Sequence, residues 1–222
     1  MVTTVTGENI AQVMTALKIQ MKDLHVPWLD ALASRARDPF KILISCILSL
    51  RTQDRTTEGA SARLFALAST PAEMTSLPEK IIERAIYPVG FYRVKAKTIK
   101  GLCRTLESRY GGNVPDDINE LLRLKGVGRK TANLVVTLGF DKYGICVDTH
   151  VHRITNRWGF VQTGTPDETE FALRKRLPKR YWKEINGLLV AFGQNICKPI
   201  SPLCSKCGLS AYCGKRGATG HR

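Results

Sequence analysis

Between Leu121 and His150 the chain reads LLRLKGVGRKTANLVVTLGFDKYGICVDTH, and two glycines decide what that stretch can become. Leu121, Leu122 and Leu124 close one short apolar helix, and Thr131 to Leu138 resumes an apolar helical run. Between them Gly126 and Gly128 make a turn that no bulky residue could follow, because glycine alone adopts its backbone angles freely. The stretch therefore predicts a helix, a glycine hairpin and a second helix, centred on residues 118–140. The first N–H groups of a helix have no intrahelical partner and carry its positive dipole end, so Gly126 and Gly128 offer their N–H groups as a seat for a phosphate. Lys130 falls in the same first turn. A cation there opposes the dipole, which favours the neutral, nucleophilic amine; a solvated surface lysine is the plainer alternative.

The remaining segments also read as helices. Ile10, Val13, Met14, Leu17 and Met21 recur at helical spacing, Val26-Pro27 interrupts the run, and a second helix follows from about Trp28 to Arg37. Asp38-Pro39 makes a cap and first turn, and Phe40 to Leu50 is apolar all round, as a buried central helix must be. Residues 56–68 and the starts at Thr70-Pro71 and Leu77-Pro78 give three further short helices, ending at the loop Tyr87 to Tyr92. A basic helix from Arg93 to Tyr110 stops at Gly111-Gly112. Asp148 can cap a helix to about Arg157, Thr165 to Glu168 is a capping box, and Arg180 to Gln194 completes the set. No stretch alternates as a strand does, so the expected fold class is all-α.

With 34 basic against 19 acidic residues, a net charge of +15 and a pI near 9.8, the chain calls for a polyanionic partner. The N-terminus lacks a basic start followed by an apolar core, and no apolar run approaches the roughly 18 residues of a membrane helix. A cytoplasmic, nucleoid-associated protein without a membrane partner is expected. In such a reducing compartment the 7 cysteines read as ligands or small buried hydrophobes. Cys46, Cys103 and Cys146 lie in apolar segments and read as packing. Cys197, Cys204, Cys207 and Cys213 instead follow a C-x6-C-x2-C-x5-C spacing. Zinc sites are usually built from two close cysteine pairs, and here Cys204 and Cys207 alone form such a pair.

The LKGVGRKTAN run, Asp148 placed 18 residues after Lys130 in VDTHVHR, and the four-cysteine spacing together resemble the helix-hairpin-helix DNA glycosylases, and among them the endonuclease III family. The resemblance covers roughly Asp38 to Cys213. It implies a helical barrel domain at 33–142 and a second helical domain from 1–32 and 143–222, with an iron–sulfur loop at 197–213 holding a [4Fe–4S] cluster through the four cysteines. Lys130 and Asp148 would face each other across the cleft between the domains. Lys130 would attack C1′ of a damaged nucleotide to form a Schiff base, the 3′-phosphate would leave by β-elimination, and Asp148 would supply negative charge beside the sugar. The partner implied is double-stranded DNA with oxidised pyrimidines or abasic sites, and the protein would be a monomeric, bifunctional glycosylase and lyase. Adenine-removing relatives lack a lysine at this position. An adenine or mismatched-thymine glycosylase, and a non-catalytic DNA-binding iron–sulfur protein, are the alternatives. The hairpin of relatives can also hold a monovalent cation.

Two further positions follow from the resemblance. Phe91 matches the family's leucine wedge, which fills the stack beside a flipped base, and Val89 matches a neighbouring apolar contact. From local sequence alone Phe91 reads as a core side chain. The family has Leu-Ser-x-Gln-Thr after its central helix, with the glutamine filling the vacated space, whereas this chain reads Leu48-Ser49-Leu50-Arg51-Thr52-Gln53. On a continuing helix Gln53 would lie about 200° around from Arg51, so Arg51 is the expected plug. Its planar guanidinium can stack in the gap and fork onto guanine acceptors, or it can simply meet a phosphate.

Overall fold

The computed structural model describes residues 4–22, 28–35, 37–218 and 220, and among these the chain is helical with no strand. In order the helices are α1 (Ile10–Met21), α2 (Trp28–Arg35), α3 (Pro39–Ser49), α4 (Asp54–Leu67), α5 (Pro71–Ser76) and α6 (Glu79–Ile86). They continue as α7 (Tyr92–Tyr110), α8 (Ile118–Leu122), α9 (Arg129–Leu134), α10 (Thr149–Trp158), α11 (Pro166–Arg176) and α12 (Ile185–Asn195). The chain divides into two compact units, Trp28–Gly144 and the pair of segments Met1–Pro27 and Ile145–Arg222. No helix among the described residues is long and apolar enough to cross a membrane.

The Trp28–Gly144 unit is built around α3. Asp38 caps it by accepting from the Phe40 and Lys41 N–H groups at 3.0 and 3.1 Å, and Pro39 opens its first turn. From Phe40 to Leu48 every side chain except Lys41 is buried, and α2, α4, α7 and α9 pack around them. Small residues let α4 come close: the Ser45 and Ser61 hydroxyls bond to each other at 3.3 Å in the interior. After Leu134 the α9 backbone widens into a π-turn, Val135–Gly139, whose last glycine lies against Pro39.

In the other unit α12 packs against both α1 and α10. Its core joins Met14 and Leu17 of α1, Ile154 and Trp158 of α10, Phe160, Leu173 of α11, and Leu189 and Phe192 of α12. Two hydrogen bonds through the Gln20 amide, to Lys206 O at 2.7 Å and from Gly208 N–H at 3.0 Å, tie α1 to the cysteine-bearing segment.

Three local expectations change. The helix predicted from Arg180 starts at Ile185, because the residues after Pro178 make a separate 3-10 turn, with Tyr181 N–H bonded to Pro178 O at 3.0 Å. At α11 the Thr165 hydroxyl accepts from Glu168 N–H, but the Glu168 carboxylate returns to Gly164 N–H, one residue earlier than in a capping box. The helix predicted to about Arg37 is described over Trp28–Arg35 and does not include Arg37, and the Val26-Pro27 break lies outside the described residues.

Candidate functional site

The hairpin of the Trp28–Gly144 unit joins α8 to α9. Gly126 has φ +88°, and a Cβ there would stand 2.6 Å from Thr98 Cγ2, so glycine is required on both counts. Gly128 differs from expectation: its φ of −96° is ordinary extended backbone, and no atom lies within 4 Å of where its Cβ would be. What its lack of a side chain leaves open is the approach to the backbone. Among the described residues neither the Gly126 nor the Gly128 N–H has a backbone acceptor, and both glycines are exposed. Lys130 is the second residue of α9 and partly buried. Burial pushes the Cys46 thiol on α3 up to about 12 against a downward pull from the Lys130 charge, which places that charge close to the α3 core.

In the same unit the residues after α3 and the loop before α7 meet. The helix has ended at Ser49, so the 200° separation between Arg51 and Gln53 does not apply; both are exposed on the α3–α4 corner. Arg51 has φ +52° and places its guanidinium 5.8 Å from the centre of the Phe91 ring. Phe91, itself at φ +58°, is 61% exposed, which removes the reading of it as a core side chain. Val89 differs from Phe91: at 1% exposure it lies inside the unit and does not form part of its surface here. Gln53 opens α4 through its carbonyl, which accepts from Thr57 N–H at 3.0 Å.

Asp148 belongs to the other unit. Its Oδ1 accepts from the His150 and Val151 N–H groups at 2.9 Å each and so caps α10. Further along α10, Arg157, 5% exposed, donates to Lys198 O and Pro199 O at 2.6 Å each and reaches Cys197 Sγ at 3.5 Å. Arg153 donates to Cys197 O at 2.8 Å. The four cysteines predicted as ligands line one recess together with Arg157, Trp158 and Phe192. Burial pushes the Cys207 thiol up to about 11. Among the described residues no three cysteine, histidine or acidic side chains converge closely enough to hold a single metal ion. The donor set that these four positions offer is all sulfur, which fits a [4Fe–4S] cluster. Cys46, Cys103 and Cys146 are buried in packing positions, as expected.

Two groups of residues escaped the sequence reading. Lys95 is buried on α7, and its signal was a lysine standing in the apolar stripe of Ile99, Leu102 and Leu106. Arg153 and Arg157 brace the cysteine segment from α10, and nothing in their spacing separates them from solvated arginines.

Residues 44–179 match the HhH-GPD superfamily base excision DNA repair protein family. The chain is 52% identical over 176 residues to endonuclease III of Thermotoga maritima, covering 79% of this chain and 83% of that protein. It is 44% identical to endonuclease III-like protein 1 of Mus musculus over 83% of its own length and 62% of the mouse protein's. A trapped endonuclease III–DNA covalent intermediate is similar in structure, with a TM-score of 0.85, 36% identity, and 96% of this chain and 97% of that one covered. By sequence, by fold and by the hairpin that heads α9, the chain belongs to the HhH-GPD superfamily of base excision DNA repair proteins and, within it, to the endonuclease III family.

Proposed function

We propose that this protein is a base-excision repair enzyme, a DNA glycosylase and abasic-site lyase that removes oxidised pyrimidines from double-stranded DNA. The observation that carries the reading is Lys130, an amine at the head of α9 directly after an exposed glycine hairpin. The Gly126 and Gly128 N–H groups hold a backbone phosphate, and the Lys130 amine attacks C1′ as the C1′–N bond to the damaged base breaks. The attacking nitrogen then loses a proton and the C1′–O4′ bond opens, O4′ leaving as a hydroxyl, to give an iminium that draws electron density from C2′; loss of the C2′ proton forms a C2′–C3′ double bond and expels the 3′-phosphate with the C3′–O electron pair. Asp148 Oδ2, which the α10 cap does not use, provides negative charge for the sugar as positive charge builds at C1′. Arg51 and Phe91 act in the stack from which the base is drawn.

Cys197, Cys204, Cys207 and Cys213 hold a [4Fe–4S] cluster, which when bound ties the segment between them, with Lys198 and Lys206, into one rigid DNA-facing loop. The freshly purified protein is then expected to be yellow-brown and to contain iron and acid-labile sulfide; stoichiometric zinc under anaerobic purification would overturn the assignment.

The test of function is excision from duplexes that carry an oxidised pyrimidine, a mismatched thymine or an adenine opposite a damaged guanine, each run with and without borohydride. Base release with strand cleavage and a trapped adduct on the oxidised pyrimidine alone is the expected result. Base release without an adduct would make the protein a monofunctional glycosylase.

A further inference from the structure

Lys95 lies in the first turn of α7 on its buried face, 7% exposed and in line with Ile99 and Leu102. A cation in an apolar stripe requires partners, and Lys95 has three acceptors. Its Nζ donates to Leu48 O at 2.8 Å, to Leu50 O at 2.6 Å and to Thr52 Oγ1 at 3.3 Å, one for each N–H of an ammonium. Two of these acceptors are carbonyls at the end of α3, where a helix carries its negative pole. Burial pushes Lys95 down to about 8, so it is still charged at pH 7.

The same residue reaches the loop before α7. Thr52 Oγ1 accepts from Gly90 N–H at 3.2 Å, and the Lys95 backbone N–H donates to Phe91 O at 3.0 Å. The two segments touch without slack, since a Cβ on Gly90 would stand 2.8 Å from Arg51 O. Each segment carries a residue with left-handed backbone, Arg51 on one side and Phe91 on the other, and the Arg51 guanidinium lies over the Phe91 ring, 5.8 Å from its centre. Bulky residues keep that conformation where their surroundings impose it.

We propose that Lys95 is a positioning residue for base extrusion, its ammonium tying the α3–α4 corner to the α6–α7 loop so that Arg51 and Phe91 meet the duplex as one pre-stacked unit. The proposal rests on the reading of Arg51 and Phe91 as plug and wedge. A preformed pair has little freedom left to lose on entering the base stack, so the brace speeds the opening of the duplex and leaves the chemistry at C1′ alone. Without the ammonium Leu48 O, Leu50 O and Thr52 Oγ1 each lose a donor, the corner keeps only the weaker ties from the Thr52 hydroxyl to Leu50 O and from Gly90 N–H to Thr52 Oγ1, and both left-handed residues relax.

The experiment compares wild type, Lys95→Met, Thr52→Val and Phe91→Ala in three assays. These are single-turnover excision of an oxidised pyrimidine from a duplex, borohydride trapping on an abasic site in single-stranded DNA, where nothing has to be extruded, and the fluorescence of 2-aminopurine placed beside the lesion. Lys95→Met is expected to slow duplex excision by roughly 10-fold or more and to shrink the fluorescence rise on binding, with single-strand trapping within about 2-fold of wild type. Thr52→Val, which removes a hydroxyl and no charge, is expected to show the same selectivity more weakly and decides the matter if Lys95→Met does not fold. Unchanged duplex excision in the brace variants beside a selective loss in Phe91→Ala overturns the brace alone, as does an equal loss on both substrates in a folded brace variant. Absence of any selective loss in Phe91→Ala overturns the wedge reading, and the brace with it.

Discussion

Asp148 divides its work between two oxygens, and that makes its structural and chemical roles separable. Oδ1 holds the His150 and Val151 N–H groups in the first turn of α10. An asparagine keeps that acceptor and loses the charge, so Asp148→Asn should unfold within a few tenths of a kcal/mol of wild type while excision drops steeply; Asp148→Ala should lose both activity and about 1 kcal/mol of stability. Thermal unfolding set beside single-turnover rates tests this, and equal destabilisation by both substitutions would refute the division. Asp30 on α2 is a second residue with a measurable signature. Burial, aided by Asp54 and opposed by a hydrogen bond from its own backbone, raises its carboxyl from 3.8 to about 6. Between those values the folded chain binds more protons than the unfolded one, so this group makes stability fall as pH rises from about 4 to about 6, by up to about 3 kcal/mol. Asp30→Asn should therefore be the more stable protein at pH 7 and match wild type below about pH 4, as read from urea unfolding at the two pH values.

At the scale of elements, the hairpin contains its own control. Gly126→Ala adds a Cβ against Thr98 at a left-handed position and should cost about 1–3 kcal/mol, whereas Gly128→Ala should change stability by less than about 0.5 kcal/mol yet weaken duplex binding, because its methyl group stands where a phosphate comes in. Equal affinity of Gly128→Ala and wild type would remove the phosphate from that seat. The helices themselves were legible in the sequence because their signals are local: the Asp38-Pro39 start of α3, the apolar run behind it, and the Asp148 cap of α10 each act within one or two turns. The hairpin was legible for the same reason, though of its two glycines Gly126 alone has left-handed backbone. What escaped depends on partners far along the chain. Val89 and Phe91 are two residues apart in one loop, and only the packed loop shows that the first turns in and the second turns out. Lys95 could be read as one more basic residue of α7 until its acceptors, more than 40 residues earlier, were in place.

For the whole molecule the basic balance sets how it meets DNA. A net charge of +15 predicts duplex affinity that falls steeply with salt, with a log–log slope of about 0.9 per phosphate contacted, and a few of the 34 basic residues suffice for that footprint. Binding that stays flat between low and moderate salt would remove nucleic acid as the partner. Lys130→Ala should leave this affinity largely intact, since one side chain contributes little to the total, while it abolishes strand incision. Whether this lysine forms the covalent link to the sugar is read by reducing the enzyme with borohydride on an abasic duplex, digesting it and locating the adduct by mass spectrometry. A single modified peptide with the sugar remnant on Lys130 is the expected result. An adduct on the N-terminal amine or on another lysine, or undiminished trapping by Lys130→Ala, would contradict it.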